Sequence, residues 1–351
     1  MNQKTSRKLG CALIGPGNFG RNLARALQED ARVHFAGVLG ATRDESSAGA
    51  AELGGRAYAS LDELLRDEAI QAVLIATPSD THAALAVAAA GAGKQIFCEK
   101  PLALTVAECD AMIAAARQAG VTLVVGQMQR LVPLLAEVRR LIHTGTIGRP
   151  VSLLIQRHDL LQRQSGSWLQ RRAQVGGLLH QSSVHELDWL RTLLGEVAEV
   201  FARAAPATIQ AGLDFPDAIM VNLRFQSGCV ATLSACMTSY VWQHEGAIQG
   251  AAGSLAWSLS EGTLRWRGSQ HAGESIQRAD FKLAAGADLA IRAELRAFVD
   301  VALGLAAPLI PGEEGRANIE IIQAALISIA ERRPVALPLP ESQWARQAYL
   351  E

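Results

Sequence analysis

The apolar run Leu9–Ile14 passes directly into Gly15-Pro16-Gly17-Asn18-Phe19-Gly20, and a segment of helical spacing, Asn18–Gln28, follows at once. A strand, a Gly-x-Gly-x-x-Gly turn and a helix in that order commit the start of the chain to a βαβ unit. Each glycine has a mechanical reason. Gly15 permits the tight turn, Gly17 lets the backbone approach a pyrophosphate, and Gly20 lets helix and strand pack closely. The free N–H groups around Asn18 and Phe19 would meet the phosphates with the positive end of the helix dipole. A glycine turn with no ligand is the plainer reading, but the strand–turn–helix context favours a dinucleotide.

The same alternation continues. Short β-like runs at Val33–Leu39, Ala72–Ala76, Gln95–Cys98 and Thr122–Val125 are separated by helical segments at Glu45–Leu53, Leu61–Arg66, Thr81–Ala90 and Thr105–Ala119. This pattern predicts a doubly wound parallel sheet, an α/β (Rossmann) dinucleotide-binding domain over residues 1–127. After Arg130 the texture changes. One helix is predicted over Leu134–His143, followed by longer β-like runs at Val151–His158, Val197–Ala204, Ala218–Phe225, Val230–Met237, Glu245–Gln249, Ser254–Ser258 and Thr263–Arg267. Gly228 supplies a positive-φ position for a hairpin between two of them. Helices return at Ser182–Leu194, Asp288–Gly304 and Gly315–Arg332. Residues 128–351 are therefore expected to form an α+β domain with a largely antiparallel sheet, which suits a 351-residue chain too long for one core.

Composition narrows the function classes. A net charge of -1 gives no basic field for nucleic acid, so any anion must be held locally. Cys11, Cys98, Cys109, Cys229 and Cys236 form no CxxC pair and no cluster with metal spacing, so no metal is expected. No stretch reaches the ~18 apolar residues of a membrane span, and the polar start is no secretion signal, so the expected location is the cytoplasm.

In an NAD-binding unit an acidic residue normally closes the second strand and holds the ribose hydroxyls. Here that strand ends in Gly40-Ala41-Thr42-Arg43. Gly40 stands at the carboxylate position, and Thr42 and Arg43 are placed to bind a 2′-phosphate, so NADP(H) is favoured over NAD(H). A solvated loop arginine is the alternative. Asp44 and Glu45 are read as the start of the next helix.

Two further segments fall at strand ends: Ala76-Thr77-Pro78-Ser79-Asp80-Thr81-His82 and Phe97-Cys98-Glu99-Lys100-Pro101. In an open parallel sheet, ligands bind at the carboxyl ends of strands. Lys100, one of only five lysines, could there hydrogen-bond a substrate hydroxyl and assist proton movement; the alternative is a surface salt bridge. Together, Gly-x-Gly-x-x-Gly, Thr-Pro-x-x-x-His (Thr77–His82) and Gly-Lys-x-x-x-x-Glu-Lys-Pro (Gly93–Pro101) resemble the Gfo/Idh/MocA oxidoreductases. The resemblance runs on through Gly126-Gln127-Met128-Gln129-Arg130, Trp168 with Gly176-Gly177, and His185-Glu186-Leu187-Asp188-Trp189-Leu190 to Pro338.

The resemblance implies hydride transfer between a nicotinamide and a sugar, polyol or related hydroxylated molecule. It implies Lys100 and His185 as the catalytic pair, and Thr77, Pro78, His82, Glu99, Lys100 and Gln127 as cofactor contacts beside the glycine turn. It also implies an open, mostly antiparallel second sheet through which homodimers or homotetramers form. The chain departs from the family in two places. Gln181 stands where an aspartate usually precedes the histidine by four residues, and Trp168 lacks its usual neighbouring arginine. Gln181, Asp188, His180 and Trp168 are the candidate substrate contacts, with an ion pair as the other reading of Asp188 and a core histidine that of His180. For His82 the other reading is capping or packing. His158, Trp242 and His244 are further cleft candidates, on segments 157–180 and 238–245 read as specificity loops. Two rival functions remain: tightly held nicotinamide driving elimination or hydrolysis without net redox, and a dinucleotide-binding protein without catalysis.

Overall fold

In the computed structural model, residues 8–161, 166–205, 212–269 and 275–345 are described. The chain divides into two interleaved compact units: residues 1–103, 108–126 and 291–315, and residues 104–107, 127–290 and 316–351.

The first unit contains β1 (Leu9–Ile14), α1 (Asn18–Gln28), β2 (Val33–Leu39), α2 (Arg43–Leu53), β3 (Arg56–Ala57), α3 (Leu61–Arg66), β4 (Ala72–Ile75), α4 (His82–Gly91), β5 (Gln95–Cys98), most of α5 (Val106–Ala119) and β6 (Leu123–Val125). All six positions of β1 and all four of β4 are buried, as strands covered on both faces require. The sheet order is β3-β2-β1-β4-β5-β6 and every pairing is parallel. The winding therefore reverses between β1 and β4, the switch point at which open α/β sheets bind ligands. α1 buries Gly20, Leu23, Ala24 and Leu27, one stripe at helical spacing. α2 and α3 each start with a reciprocal cap. Thr42 accepts from Glu45 N while Glu45 reaches back to Ala41 N, and Ser60 and Glu63 do the same with Ala59. Residues 291–315 join this unit through an edge contact of Phe298 on Phe97, with centroids 5.6 Å apart, and through Val125 N donating to Ile310 O at 3.0 Å.

The second unit holds α6 (Pro133–His143), β7 (Pro150–Leu160), α7 (Arg172–Val175), α8 (Val184–Leu194), β8 (Val197–Ala204), β9 (Ala218–Phe225), β10 (Val230–Cys236), β11 (Thr238–Gly250), β12 (Gly253–Ser258), β13 (Thr263–Gly268), β14 (Gln277–Asp280), the larger part of α10 (Gly312–Glu331) and β15 (Val335–Ala336), while α9 (Leu283–Ala302) has residues in both units. Its nine strands run β14-β13-β12-β11-β7-β10-β9-β8-β15. β7 and β10 are parallel and every other pair is antiparallel. Strict alternation in β9 buries Ile219, Val221, Leu223 and Phe225 and leaves Met220, Asn222 and Arg224 outside. α8 lies against the covered face, where Trp189 meets Trp257 of β12 edge-on at 5.0 Å. Leu154, Met220 and Val230 stay exposed. The Gly228 hairpin forms as expected, with Gly228 N donating to Phe225 O.

Three features differ from the sequence reading. β14 is a polar edge strand and β15 has two residues, so neither carries a hydrophobic alternation. Residues 157–160 and 238–245, read as loops, lie in β7 and β11 instead, although the pairing slips between Thr238 and Gln243. The remainder of the first segment includes residues 162–165, which lie outside the described residues, as do 1–7 of the polar start. Among the described residues no helix is long and apolar enough to cross a membrane.

Asp188, expected as a substrate contact or an ion-pair partner, is held in an ion pair. It is fully buried on α8, takes both Nε and Nη2 of Arg130 at 2.7 and 2.6 Å, and accepts from Asn318 Nδ2 of α10 at 2.8 Å. Both of its oxygens accept from these side chains. Removing one partner of such a pair leaves an uncompensated buried charge, so Asp188→Ala should lose about 3–5 kcal/mol of stability. Urea unfolding followed by circular dichroism tests this; a loss below ~1 kcal/mol would assign the pair a peripheral role.

Candidate functional site

In the first unit the candidate residues gather at the carboxyl ends of β1, β2, β4 and β5. Gly15 has φ +96°, and its N–H donates to Leu39 O at the end of β2. A Cβ there would stand 2.5 Å from Ala76 O, and one on Gly20 would strike Gly15 O. Nothing lies within 4 Å of the Cβ direction of Gly17, which caps α1 without any side-chain hydrogen bond. Asn18 and Phe19 are exposed beside it. An uncapped helix N-terminus behind an open glycine is a cradle of the right chemistry for a pyrophosphate.

Beyond β2, Gly40 N donates to Ser46 Oγ at 2.9 Å, and the Thr42 hydroxyl is engaged with Glu45 N. Arg43 is exposed at the first turn of α2 and makes no hydrogen bond or ion pair among the described residues. The Glu45 carboxylate is held 2.9 Å from Ala41 N, so an acid does stand near this strand end, delivered from the helix.

Thr77 and Pro78 form the turn after β4, with Thr77 Oγ1 2.6 Å from Thr81 Oγ1, which in turn donates to Pro78 O. His82 is buried, with Nδ1 2.8 Å from Pro101 O and Nε2 3.0 Å from Thr77 O. Burial pulls its pKa down while the two carbonyls pull the other way. Its ring lies between the two turns, and in the neutral form it donates to one of these two carbonyls. Glu99 is buried behind Gly126, where a Cβ would stand 2.8 Å from Glu99 Oε1, and accepts from Lys100 N at 3.0 Å. Burial raises its carboxyl to about 7 against the opposing pull of Lys100. Lys100 is half-buried at the end of β5.

In the second unit the centre is His185 on α8. Its Nδ1 lies 2.7 Å from Oε1 of Gln127, a residue 1% exposed that the sequence placed with the cofactor. Gln181 lies one turn before, in a π-helical turn spanning Leu179–Ser183, with its N–H donating to Gly177 O. His180, expected as a substrate contact, is buried, and its Nδ1 has no hydrogen-bond partner among the described residues. It is buried against Gly176, its Nε2 faces Leu104 O at 3.1 Å, and burial lowers its pKa to about 4. Trp168 is 40% exposed on a short turn whose start is capped by Ser167.

A buried polar network that the motifs did not announce flanks His185. Glu186 Oε1 accepts from Gln129 Nε2 and His244 Nε2, both at 3.0 Å, with Arg157 Nη1 at 3.6 Å. Arg157 also pairs with Asp159 at 2.6 Å and donates to His244 Nδ1 at 3.0 Å. Burial alone would raise the Glu186 carboxyl, but Arg157 and His244, with His185 beyond, hold it well below the carboxylate range. His244 is therefore buried structure; His158 bonds Gln243 and Ser234, and Trp242 is exposed. The available signal was Arg157-x-Asp159, two charges on one face of an apolar strand.

The model of an oxidoreductase family with an NAD-binding Rossmann fold, Gfo/Idh/MocA, matches residues 9–127, and that of its C-terminal alpha/beta domain matches residues 139–337. The chain belongs to the Gfo/Idh/MocA oxidoreductase family. It is 32% identical over 260 residues to the 2,7-anhydro-N-acetylneuraminate hydratase of Escherichia coli, covering 72% of this chain and 69% of that protein. It is 28% identical to the inositol 2-dehydrogenase of Rhizobium meliloti over 93% of this chain and 98% of the relative. A solved oxidoreductase domain protein from Kribbella flavida superimposes with a TM-score of 0.85 at 25% identity, over 95% and 100% of the two chains. Residues 9–127 thus form the NAD-binding Rossmann domain of an oxidoreductase, and the cradle at Gly17 fits a dinucleotide.

The folded first unit keeps the Glu99 proton up to about pH 7, whereas an ordinary glutamate releases it near 4.5. Its contribution to stability therefore falls as pH rises through that window, by on the order of 3 kcal/mol. Glu99→Gln should remove that fall. Urea midpoints at pH 5 and pH 8 measure it, and an equal pH difference in both proteins would show Glu99 ionised throughout.

Proposed function

We propose that this oxidoreductase interconverts a secondary alcohol and a ketone on a sugar, polyol or related hydroxylated molecule, with Lys100 and His185 as its catalytic groups. The observation that carries the reading is Lys100, half-buried at the carboxyl end of β5 on the same sheet edge as the glycine cradle. Bound on that cradle, the nicotinamide supplies the hydride acceptor or donor. Lys100 holds and polarises the substrate oxygen. His185 takes up the hydroxyl proton in oxidation and returns it in reduction. Gln181 orients the hydroxyl without titrating. Trp168, exposed near the start of α7, is a substrate-side contact. Inositol 2-dehydrogenase activity in the Rhizobium meliloti relative supports the substrate class.

Residues 1–127 carry the dinucleotide in this reading, and residues 128–351 the substrate and the subunit contact. Two or four copies would associate through the sheet face bearing Leu154, Met220 and Val230, which would otherwise leave these apolar side chains in water. That none of the five cysteines forms a disulfide suits a reducing cytoplasm.

Lys100→Ala should leave dinucleotide binding by calorimetry within a few-fold of wild type while lowering kcat by about 10²–10⁴. Unchanged turnover would sink the assignment. The Escherichia coli hydratase favours one second reading, transformation without net redox, which shows as substrate consumption with no change at 340 nm.

The preferred cofactor is NADP(H), because Arg43 is exposed and unengaged among the described residues and Gly40 presents no carboxylate. Arg43→Ala should weaken NADP(H) binding by about 10-fold, a charged hydrogen bond's worth, and leave NAD(H) unchanged. Calorimetric titration reads both, and tighter NAD(H) binding by the unmodified protein would refute the preference.

A further inference from the structure

We infer that Gln127 is a positioning residue that fixes the tautomer of His185, so that Nε2 is the nitrogen that exchanges the substrate proton. The inference rests on His185 as the proton carrier and adds which atom carries the proton and what holds it ready.

A neutral imidazole has one N–H and one lone pair, and the hydrogen bond at one nitrogen decides which is which. Gln127 Oε1 stands 2.7 Å from His185 Nδ1. A carbonyl oxygen only accepts, so this contact requires the proton on Nδ1 and leaves the lone pair on Nε2. Hydroxyl oxidation needs that lone pair: the O–H bond breaks, the proton goes to Nε2, and the oxygen's electron pair forms the carbonyl as hydride leaves the carbon for the nicotinamide.

Gln127 is itself held in place. Two residues on, Gln129 bonds Glu186, and three on, Arg130 grips Asp188. One short segment thus engages three residues of a single helix turn, and Gln127 has little freedom to withdraw. Its side chain is nine-tenths buried or better, and its Nε2 has no hydrogen-bond partner among the described residues.

The partner is also neutral. A carboxylate at Nδ1 would stabilise the imidazolium and raise its pKa, whereas an amide orients the ring without doing so. With Gln181 equally unable to titrate, neither residue adds a negative charge to the proton-carrying ring. The charged groups of this region are Glu186 and Asp188 on α8, Arg130 after β6, Arg157 and Asp159 on β7, and His244 on β11 when protonated; all are common to the wild type and the variants below.

The first test reads the tautomer without turnover. In uniformly folded protein carrying ¹⁵N-histidine, His185 is assigned by comparison with His185→Gln. The expected pattern is a protonated Nδ1 and a lone-pair Nε2 at pH above the ring's titration; the reverse pattern overturns the inference. The second test reads kinetics. Gln127→Met, similar in length but without an acceptor, should lower kcat by about 10- to 100-fold with KM within three-fold. Gln127→Glu should retain turnover and move the acidic limb of kcat/KM upward by about one pH unit or more. A Met variant with wild-type kcat, or a Glu variant with an unmoved limb, overturns it. If His185→Ala keeps its turnover, the proton-carrier reading itself fails, while the tautomer assignment from resonance stands apart from it.

Discussion

The bidentate pair of Arg130 and Asp188, closed by Asn318, is the contact on which the second unit's functional geometry rests. Building such a pair is not a cheap way to gain stability, because both charges lose their water. Once it is built, however, it has only one good register. Slipping the 127–131 segment by a single residue along α8 would leave a guanidinium and a carboxylate unpaired in the interior. The ion pair therefore dictates which residue of the segment meets Glu186 and which meets His185. Gln129 and Gln127 are neutral and could trade partners at modest expense; Arg130 cannot.

The features legible in the sequence are those whose cause is local. The glycine turn at 15–20 announces itself because its three requirements fall within six residues, and the strands on either side are apolar for a reason visible one residue at a time. The hairpin at Gly228 depends on one positive φ. The family motifs added Lys100 and His185, whose types and order suffice to point at them.

What stayed hidden depends on partners far along the chain. Gln127 and His185 are 58 residues apart, so nothing near Gln127 distinguishes a ring-orienting amide from a cofactor contact. Asp188 sits three residues after His185, and its partners Arg130 and Asn318 lie 58 and 130 residues away. His82 and His180 carry the residue type of a catalytic group, yet both nitrogens of His82 and Nε2 of His180 face backbone carbonyls that no motif records. The strand at 238–250 was obscured by its slipped pairing with β7, which breaks the alternation that identifies strands.

The cap that begins α2 carries a consequence for how this chain can change. Thr42 and Glu45 satisfy backbone N–H groups, while Arg43 between them faces solvent at the position where an adenosine ribose would be judged. Helix initiation and the proposed nucleotide contact thus fall within the same four residues. A substitution that releases Glu45 from Ala41 frays the helix and in the same stroke sets a mobile negative charge beside Arg43. Replacing Arg43 would leave that start of α2 intact, whereas replacing Thr42 or Glu45 would not.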